Sequence, residues 1–294
     1  GDVTATEYSC AGRGSENLTV LSADGAGSVL DLSLLTRIDD GHASGSRTQK
    51  IGVTNQGVMD LSGVSSVTGP TYWTSALEIR VDNEGTLKLG SPQFTGYVHL
   101  YIEDPNALLD VAGSLALEGE TTLSATNGAT IEIGGHYTFA QQDVSAVDLD
   151  TAIIGLNGTG RQMFEVGGAD LGLGGATEDN FGLAQMVVGT DTQPTTVLLV
   201  DLMDNGNRSS NEALYLYGSG GLYGLRILGG STLVVGDINV YALWQGEMIH
   251  INELFGPEVR IPFDEGFIAV PEPGTLVLLG LGAAGLLLRR RRKA

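Results

Sequence analysis

Cysteine is nearly missing. The 294-residue chain has one, Cys10, so no disulfide framework staples it. Proline is scarce, with 8 residues, and no Gly-X-Y period accompanies it, which excludes a collagen-like triple helix. Charged residues make up 17% against 42% hydrophobic, so the bulk of the chain is not a disordered polyelectrolyte. Cations are the rarer charge, 15 Lys and Arg against 35 Asp and Glu. Five of those cations crowd into residues 271–294 beside one acid, Glu272, which leaves residues 1–270 with a net charge of −24. A body of that sign repels phosphate backbones, so nucleic acid is not an expected partner. The lack of cysteine suits a reducing cytosol or an envelope protein that does without disulfides.

What the chain has in excess is glycine, 44 residues, about twice average usage. Helical periodicity is scarce over 1–270, and a short phrase recurs instead: a turn residue, a small residue or Thr, then apolar–polar–apolar. It reads Gly57-Val58-Met59-Asp60-Leu61, Gly85-Thr86-Leu87-Lys88-Leu89, Asn106-Ala107-Leu108-Leu109-Asp110-Val111 and Gly128-Ala129-Thr130-Ile131-Glu132-Ile133. Val29-Leu30-Asp31-Leu32 reads as a first copy and Gly230-Ser231-Thr232-Leu233-Val234-Val235 as a late one. The closing residues Leu32, Leu61, Leu89, Val111 and Ile133 are 29, 28, 22 and 22 apart. Alternation of period two predicts half-buried strands, and a step of twenty-odd residues predicts one solenoid coil per copy. An all-β fold follows, with a right-handed parallel β-helix as the first expectation and a β-sandwich or jelly roll as the alternative. In the second half, strands are predicted at 195–202, 212–218, 222–228 and 237–243. The expected organisation is a Gly-rich acidic body at 1–253, a cap and linker at 254–270 and a distinct tail at 271–294.

The tail has three parts in order. Val270-Pro271-Glu272-Pro273-Gly274 cannot continue a helix and stays extended. An uncharged apolar run follows, its anchor ends at Leu276 and Leu288, about 22 Å long for residues 274–288 if helical. That falls short of a roughly 30 Å hydrocarbon core. The cluster Arg289, Arg290, Arg291, Arg292 and Lys293 comes next, able to snorkel and to hold that end in the cytoplasm. This order resembles the PEP-CTERM protein-sorting signal, with Gly274 where that family more often has serine. The resemblance implies a bacterial cell-envelope or extracellular protein, transiently anchored in the inner membrane by a transmembrane helix. It implies an exosortase that reads Pro271, Glu272 and Pro273, and an association with exopolysaccharide. The run 204–207, the strand Ala213-Leu214-Tyr215-Leu216-Tyr217 and the segment from Gly229 to Tyr241 resemble, more loosely, membrane-proximal parts of autotransporter-like, β-helical PEP-CTERM proteins. Gly1–Val20 has no basic region followed by an apolar core; prior removal of a signal peptide is the expectation that an export signal at the other end raises.

Residues that could carry chemistry are few. Asp110 and Glu132 occupy one phrase position a coil apart, close enough in a stack for glycoside chemistry. The same position holds Asp31, Asp60, Lys88 and Val234, the pattern of a solvent-facing row. His42, His99, His136 and His250 lack partners at metal-ligand spacing, and Cys10 lacks a nearby base. The run Asp201-Leu202-Met203-Asp204-Asn205-Gly206-Asn207 has the composition of half a calcium loop without its alternating ligands. Gly167-Gly168 and Gly172–Gly175 lack the helix and the Lys-Ser/Thr of a phosphate loop. Tyr215 and Tyr217 share a strand face and, with Tyr223, Tyr241 and Trp244, are candidates for stacking on sugar rings. The sequence therefore reads as a non-catalytic exported protein without cofactor or metal. A polysaccharide lyase or hydrolase, or a carbohydrate-binding adhesin, on the same scaffold is the alternative. The net charge of the body predicts that its melting temperature rises modestly between low and physiological ionic strength, as salt screens self-repulsion; identical melting curves at the two would contradict this.

Overall fold

The computed structural model describes residues 6–9, 17–41, 46–175, 180–205, 211–218 and 223–271. Three long sheets organise them. The first contains Leu18–Asp24, Thr48–Thr54, Ala76–Val81, Val98–Ile102, Thr122–Ala125 and Val147–Asp148. The second contains Val29–Asp31, Val58–Leu61, Thr86–Leu89, Leu108–Val111, Thr130–Ile133, Ile153–Leu156, Gln185–Val188 and Leu225–Ile227. The third runs from Glu7–Ser9 through Arg37–Asp39, Ser66–Thr68, Gln93–Thr95, Leu115–Leu117, Tyr137–Phe139, Arg161–Glu165, Thr196–Val200 and Thr232–Val234 to a closing hairpin, Arg260–Phe263 and Gly266–Ala269. The chain visits the first, second and third sheet in turn, and each visit lies beside the preceding one. Pairing within these sheets is parallel until the closing hairpin. That is a solenoid, and adjacent copies of the phrase pair parallel rather than in the antiparallel fashion of a sandwich.

The register is the one the phrase predicts. Leu61 lies against Leu89, Leu89 against Val111 and Val111 against Ile133, all at most 1% exposed. Met59, Leu87, Leu109 and Ile131 form a second buried ladder one pleat away. The first sheet contributes Ile51, Ile79, Leu100 and Leu123 to the same core, and the third contributes Ile38, Val67, Phe94 and Leu117. Burial of these alternate residues supplies the main stabilisation, roughly 25 cal/mol for each Å² of apolar surface removed from water. Later second-sheet copies, Ile153–Leu156 and Gln185–Val188, continue the ladder. The late phrase Thr232-Leu233-Val234 belongs instead to the third sheet, so Val234 does not share the outward row of Asp110.

The corner between the first and second sheets explains the Asn and Gly content. Asn55, Gln56, Asn83, Glu84, Asn106 and Asn127 all have positive φ, a region that Asn and Gly tolerate best. The asparagines also stack: Asn83 Nδ2 donates to Asn55 Oδ1 at 3.1 Å, and Asn55 Nδ2 donates to Asp24 Oδ1 at 2.7 Å. Gly57 and Gly85 must be small because a Cβ there would lie 2.4 and 2.5 Å from the carbonyl oxygens of Ala23 and Val53 on the preceding coil.

After Asp148 the first-sheet position passes to a separate three-stranded sheet, Ala213–Leu216, Asn239–Trp244 and Glu247–His250. The last two of its strands are antiparallel. The end of the stack is thus closed by two reversals of chain direction. Among the described residues the helices are single turns, Val144–Ala146, Leu173–Gly175 and Ile251–Leu254, and no helix is long and apolar enough to cross a membrane. The apolar run expected to span one, with Leu276 and Leu288 at its ends, lies outside the described residues. Leu109→Ala should cost about 2–5 kcal/mol in urea unfolding, because its cavity cannot collapse within a stack of fixed register. Asp110→Ala, on the same strand but facing out, should cost within about 0.5 kcal/mol. Equal losses for the two would show that the inward ladder is not the core.

Candidate functional site

The stack does bring Asp110 and Glu132 together as register partners on the second sheet. Their row continues with Asp60 and Lys88 on one side and Gly155 on the other, so a cation sits beside Asp110. Glu132 Oε2 accepts a bond from Asn157 Nδ2 at 3.1 Å, and Asp60 accepts one from the Ser62 backbone N–H at 2.9 Å. The row trims and caps turns.

The histidines are dispersed. His99 Nδ1 lies 2.8 Å from Thr122 Oγ1, and burial holds its pKa below the usual value against the pull of Glu78. His136 Nδ1 accepts from the Met163 backbone N–H at 3.0 Å, and His250 Nε2 lies 3.2 Å from Asn239 Oδ1. Among the described residues no three His, Cys, Asp or Glu side chains are grouped to hold a metal ion; His42 and Cys10 lie outside them. The start of the calcium-like run has its own anchor. Buried Glu165 accepts from the backbone N–H groups of Leu202 and Met203 at 3.0 and 2.8 Å. Asn205 Nδ2 donates to the carbonyls of Phe139 and Gln141, each at 3.2 Å.

Tyr215 and Tyr217 do share a face, ring centroids 6.4 Å apart, but Tyr215 cannot present its ring to a sugar. It is 0% exposed. The segment 168–175 folds over it, with the Tyr215 hydroxyl donating to the Gly172 carbonyl at 3.0 Å and accepting from the Leu171 N–H at 2.9 Å. Tyr241 stacks on Tyr215 at 4.9 Å and on His250 at 4.6 Å. The Tyr241 hydroxyl donates to Asp170 Oδ1 at 2.9 Å, and Asn239 Nδ2 donates to Asp170 Oδ2 at 2.7 Å. Stacking and strap together make this a second, smaller core. Sequence alternation located the face but gave no signal for the strap, which is an insertion without periodicity.

The tail leaves the body abruptly. Gly266–Ala269 is paired on both sides, with Thr232–Val234 and with Arg260–Phe263. Val270 still donates its N–H to the Val259 carbonyl at 2.9 Å, and Pro271 is half-buried. The model of the PEP-CTERM protein-sorting motif matches residues 269–292. The chain carries a PEP-CTERM signal. No curated protein and no solved structure matches the chain.

The PEP-CTERM match begins inside the last strand of the solenoid, so signal and folded body meet with no spacer between them. Of the residues expected to be read, Pro271 is described. Glu272, Pro273 and the basic cluster Arg289, Arg290, Arg291, Arg292 and Lys293 lie outside the described residues. Within the body, the tyrosine cluster holds two groups whose titration is shifted in opposite directions. Burial pulls Asp170 upward, but bonds from the Gly172 N–H, the Tyr241 hydroxyl and Asn239 outweigh it and hold the carboxyl below the usual range. Burial, then the bond to Asp170, pushes Tyr241 up to about 12. A lowered carboxyl stabilises the fold above its unfolded pKa, roughly 3.9, and that contribution is lost as pH falls further. The raised phenol contributes below its unfolded value, roughly 10, and loses that contribution as pH rises above it. Thermal melts between pH 7 and 2 should show a steeper acid loss for the wild type than for Asp170→Asn. Parallel curves would remove Asp170 from the account.

Proposed function

We propose that the protein is an exported, non-catalytic component of a bacterial cell envelope or extracellular matrix. An exosortase delivers it by reading Pro271-Glu272-Pro273 and removing the segment that follows. The observation that carries this reading is the PEP-CTERM motif joined directly to the last strand of an acidic solenoid. The two prolines keep the recognition residues extended, so an embedded enzyme grips them without unwinding a helix. The apolar run between Leu276 and Leu288 serves as a transient inner-membrane helix, and Arg289–Lys293 keep its end cytoplasmic. The body stands outside, wound in the right-handed sense that joins parallel strands of one sheet. Its charge keeps it soluble and disfavours anionic partners, which leaves exopolysaccharide of low charge as the matrix material it accompanies.

Replacing Pro271, Glu272 and Pro273 with alanine should leave the chain inserted but unprocessed, whereas deleting Arg289–Lys293 should disturb orientation or retention. Mass spectrometry of cell-surface protein from the native host reads the outcome. A mature C-terminus upstream of Arg289 is expected, and an intact end at Ala294 would leave an ordinary tail anchor in place of a sorting signal.

A further inference from the structure

We propose that the corner joining the third sheet to the first binds a neutral oligosaccharide, with Tyr72 and Trp73 as its stacking platform and a polar groove at Glu120, Gln142 and Asp143 further along the same corner. The inference concerns the body and does not depend on how the tail is processed.

Trp73 is 76% exposed and Tyr72 56%. A single exposed aromatic is ordinary; two adjacent ones held out on a braced turn are not explained by packing. The bracing is extensive. Pro70 is buried, and its carbonyl accepts from the Tyr97 N–H on the next coil at 2.9 Å. The Ser75 N–H donates to the Tyr72 carbonyl at 2.9 Å. Behind the turn, the Arg47 N–H donates to Ser75 Oγ at 3.4 Å, and the Arg47 guanidinium pairs with Asp40 at 2.6 Å. Both of those charged side chains are at most 4% exposed. The backbone that carries the platform is thus fixed before a ligand arrives, which limits the ordering entropy that opposes binding.

The corner continues without interruption. Thr121 Oγ1 donates to the Gly96 carbonyl at 3.4 Å, and Gln141 Nε2 donates to the Thr121 carbonyl at 2.9 Å. Each step is one coil, roughly 4.8 Å along the axis. Beyond Gly96 the corner opens into a groove of about 350 Å³ lined by Glu120, Thr122, Gln142, Asp143 and Ser145. Asp143 is already oriented there, accepting from the Ser145 N–H at 2.9 Å and its hydroxyl at 2.8 Å. Carboxylates, amides and hydroxyls in a row match the alternating donors and acceptors of sugar hydroxyls, and the indole and phenol faces match the apolar face of a pyranose ring. Charge selects among glycans: a body of net −24 repels uronate and sulfated chains. Two aromatic side chains are far less than the roughly 800 Å² per partner that a stable protein interface buries, so a slender chain fits the corner better than a folded partner.

The test is isothermal titration calorimetry of the purified protein with neutral linear gluco-oligosaccharides, uronate oligosaccharides and phosphatidylcholine vesicles in parallel, a readout that survives the loss of Trp73. The chain has 2 tryptophans, and Trp244 is packed against Tyr223 and Phe263 at 5.0 and 4.4 Å, so Trp244→Phe should keep the binding. Saturable binding of the neutral oligosaccharides is expected. Trp73→Ala and Tyr72→Ala should each weaken it about tenfold, Trp73→Phe should weaken it less, and all three should melt with the wild type. Absence of neutral-glycan binding, preference for uronates or vesicles, or affinity indifferent to Trp73→Ala would each overturn the proposal.

Discussion

Every coil of the body must set its inward residues on those of the coil before it. A slip of one residue would turn the whole apolar set of a strand into water and bring its outward charges into the core. That single constraint fixes the rest. It forces the parallel register that carries Leu61, Leu89, Val111 and Ile133 in one line, and it demands small residues where coils approach closely. Variation is pushed to the corners, where coils lengthen by whole loops while the strands stay in step. The buried Asp40–Arg47 pair, the Glu165 anchor and the Asp170 cluster all belong to such insertions. They are places where the backbone departs from the repeat and needs polar support of its own.

The second sheet was legible because its strands from Val58–Leu61 to Gln185–Val188 are four residues long and carry two inward apolar residues each, enough for alternation to register. The early strands of the third sheet were not. Ser66–Thr68 and Gln93–Thr95 offer one buried residue apiece, and a period cannot be read from one point. Spacing failed beyond Ile133 for a related reason. Ile153–Leu156 holds its outward place with Gly155, which breaks the polar position of the phrase, and a long insertion then separates it from Gln185–Val188. The phrase Thr232-Leu233-Val234 misled in the opposite direction: an identical local pattern serves another sheet. For the body's surface, alternation identified the face of Tyr215 and Tyr217 but not its cover. Tyr72 and Trp73 went unmarked because loop residues have no pattern to stand out from. The sorting motif, by contrast, was legible in sequence, since three chemically distinct segments in fixed order need no tertiary structure to be recognised.

The division of labour follows from these physical differences. Strands supply a stiff, repetitive interior whose outward rows are spent on turn caps and charge compensation, as with Lys50, Glu78 and Arg80 along the first sheet. Such rows have little freedom to evolve a ligand site. Corners have that freedom, because a loop inserted there leaves the neighbouring coils undisturbed. Address and body are equally separable in sequence: the match to the sorting motif is confined to residues 269–292.

The outermost strand, Arg260–Phe263, carries Pro262 opposite Phe267. Proline offers no N–H, and a strand that includes one makes a poor template for the next. Together with the reversal of direction at the hairpin, this terminates the third sheet beside the point where the tail departs. Addition of a further strand to the third sheet is disfavoured at that edge. Any association through the third sheet at that edge must then rely on side chains and not on the backbone bonds of an added strand.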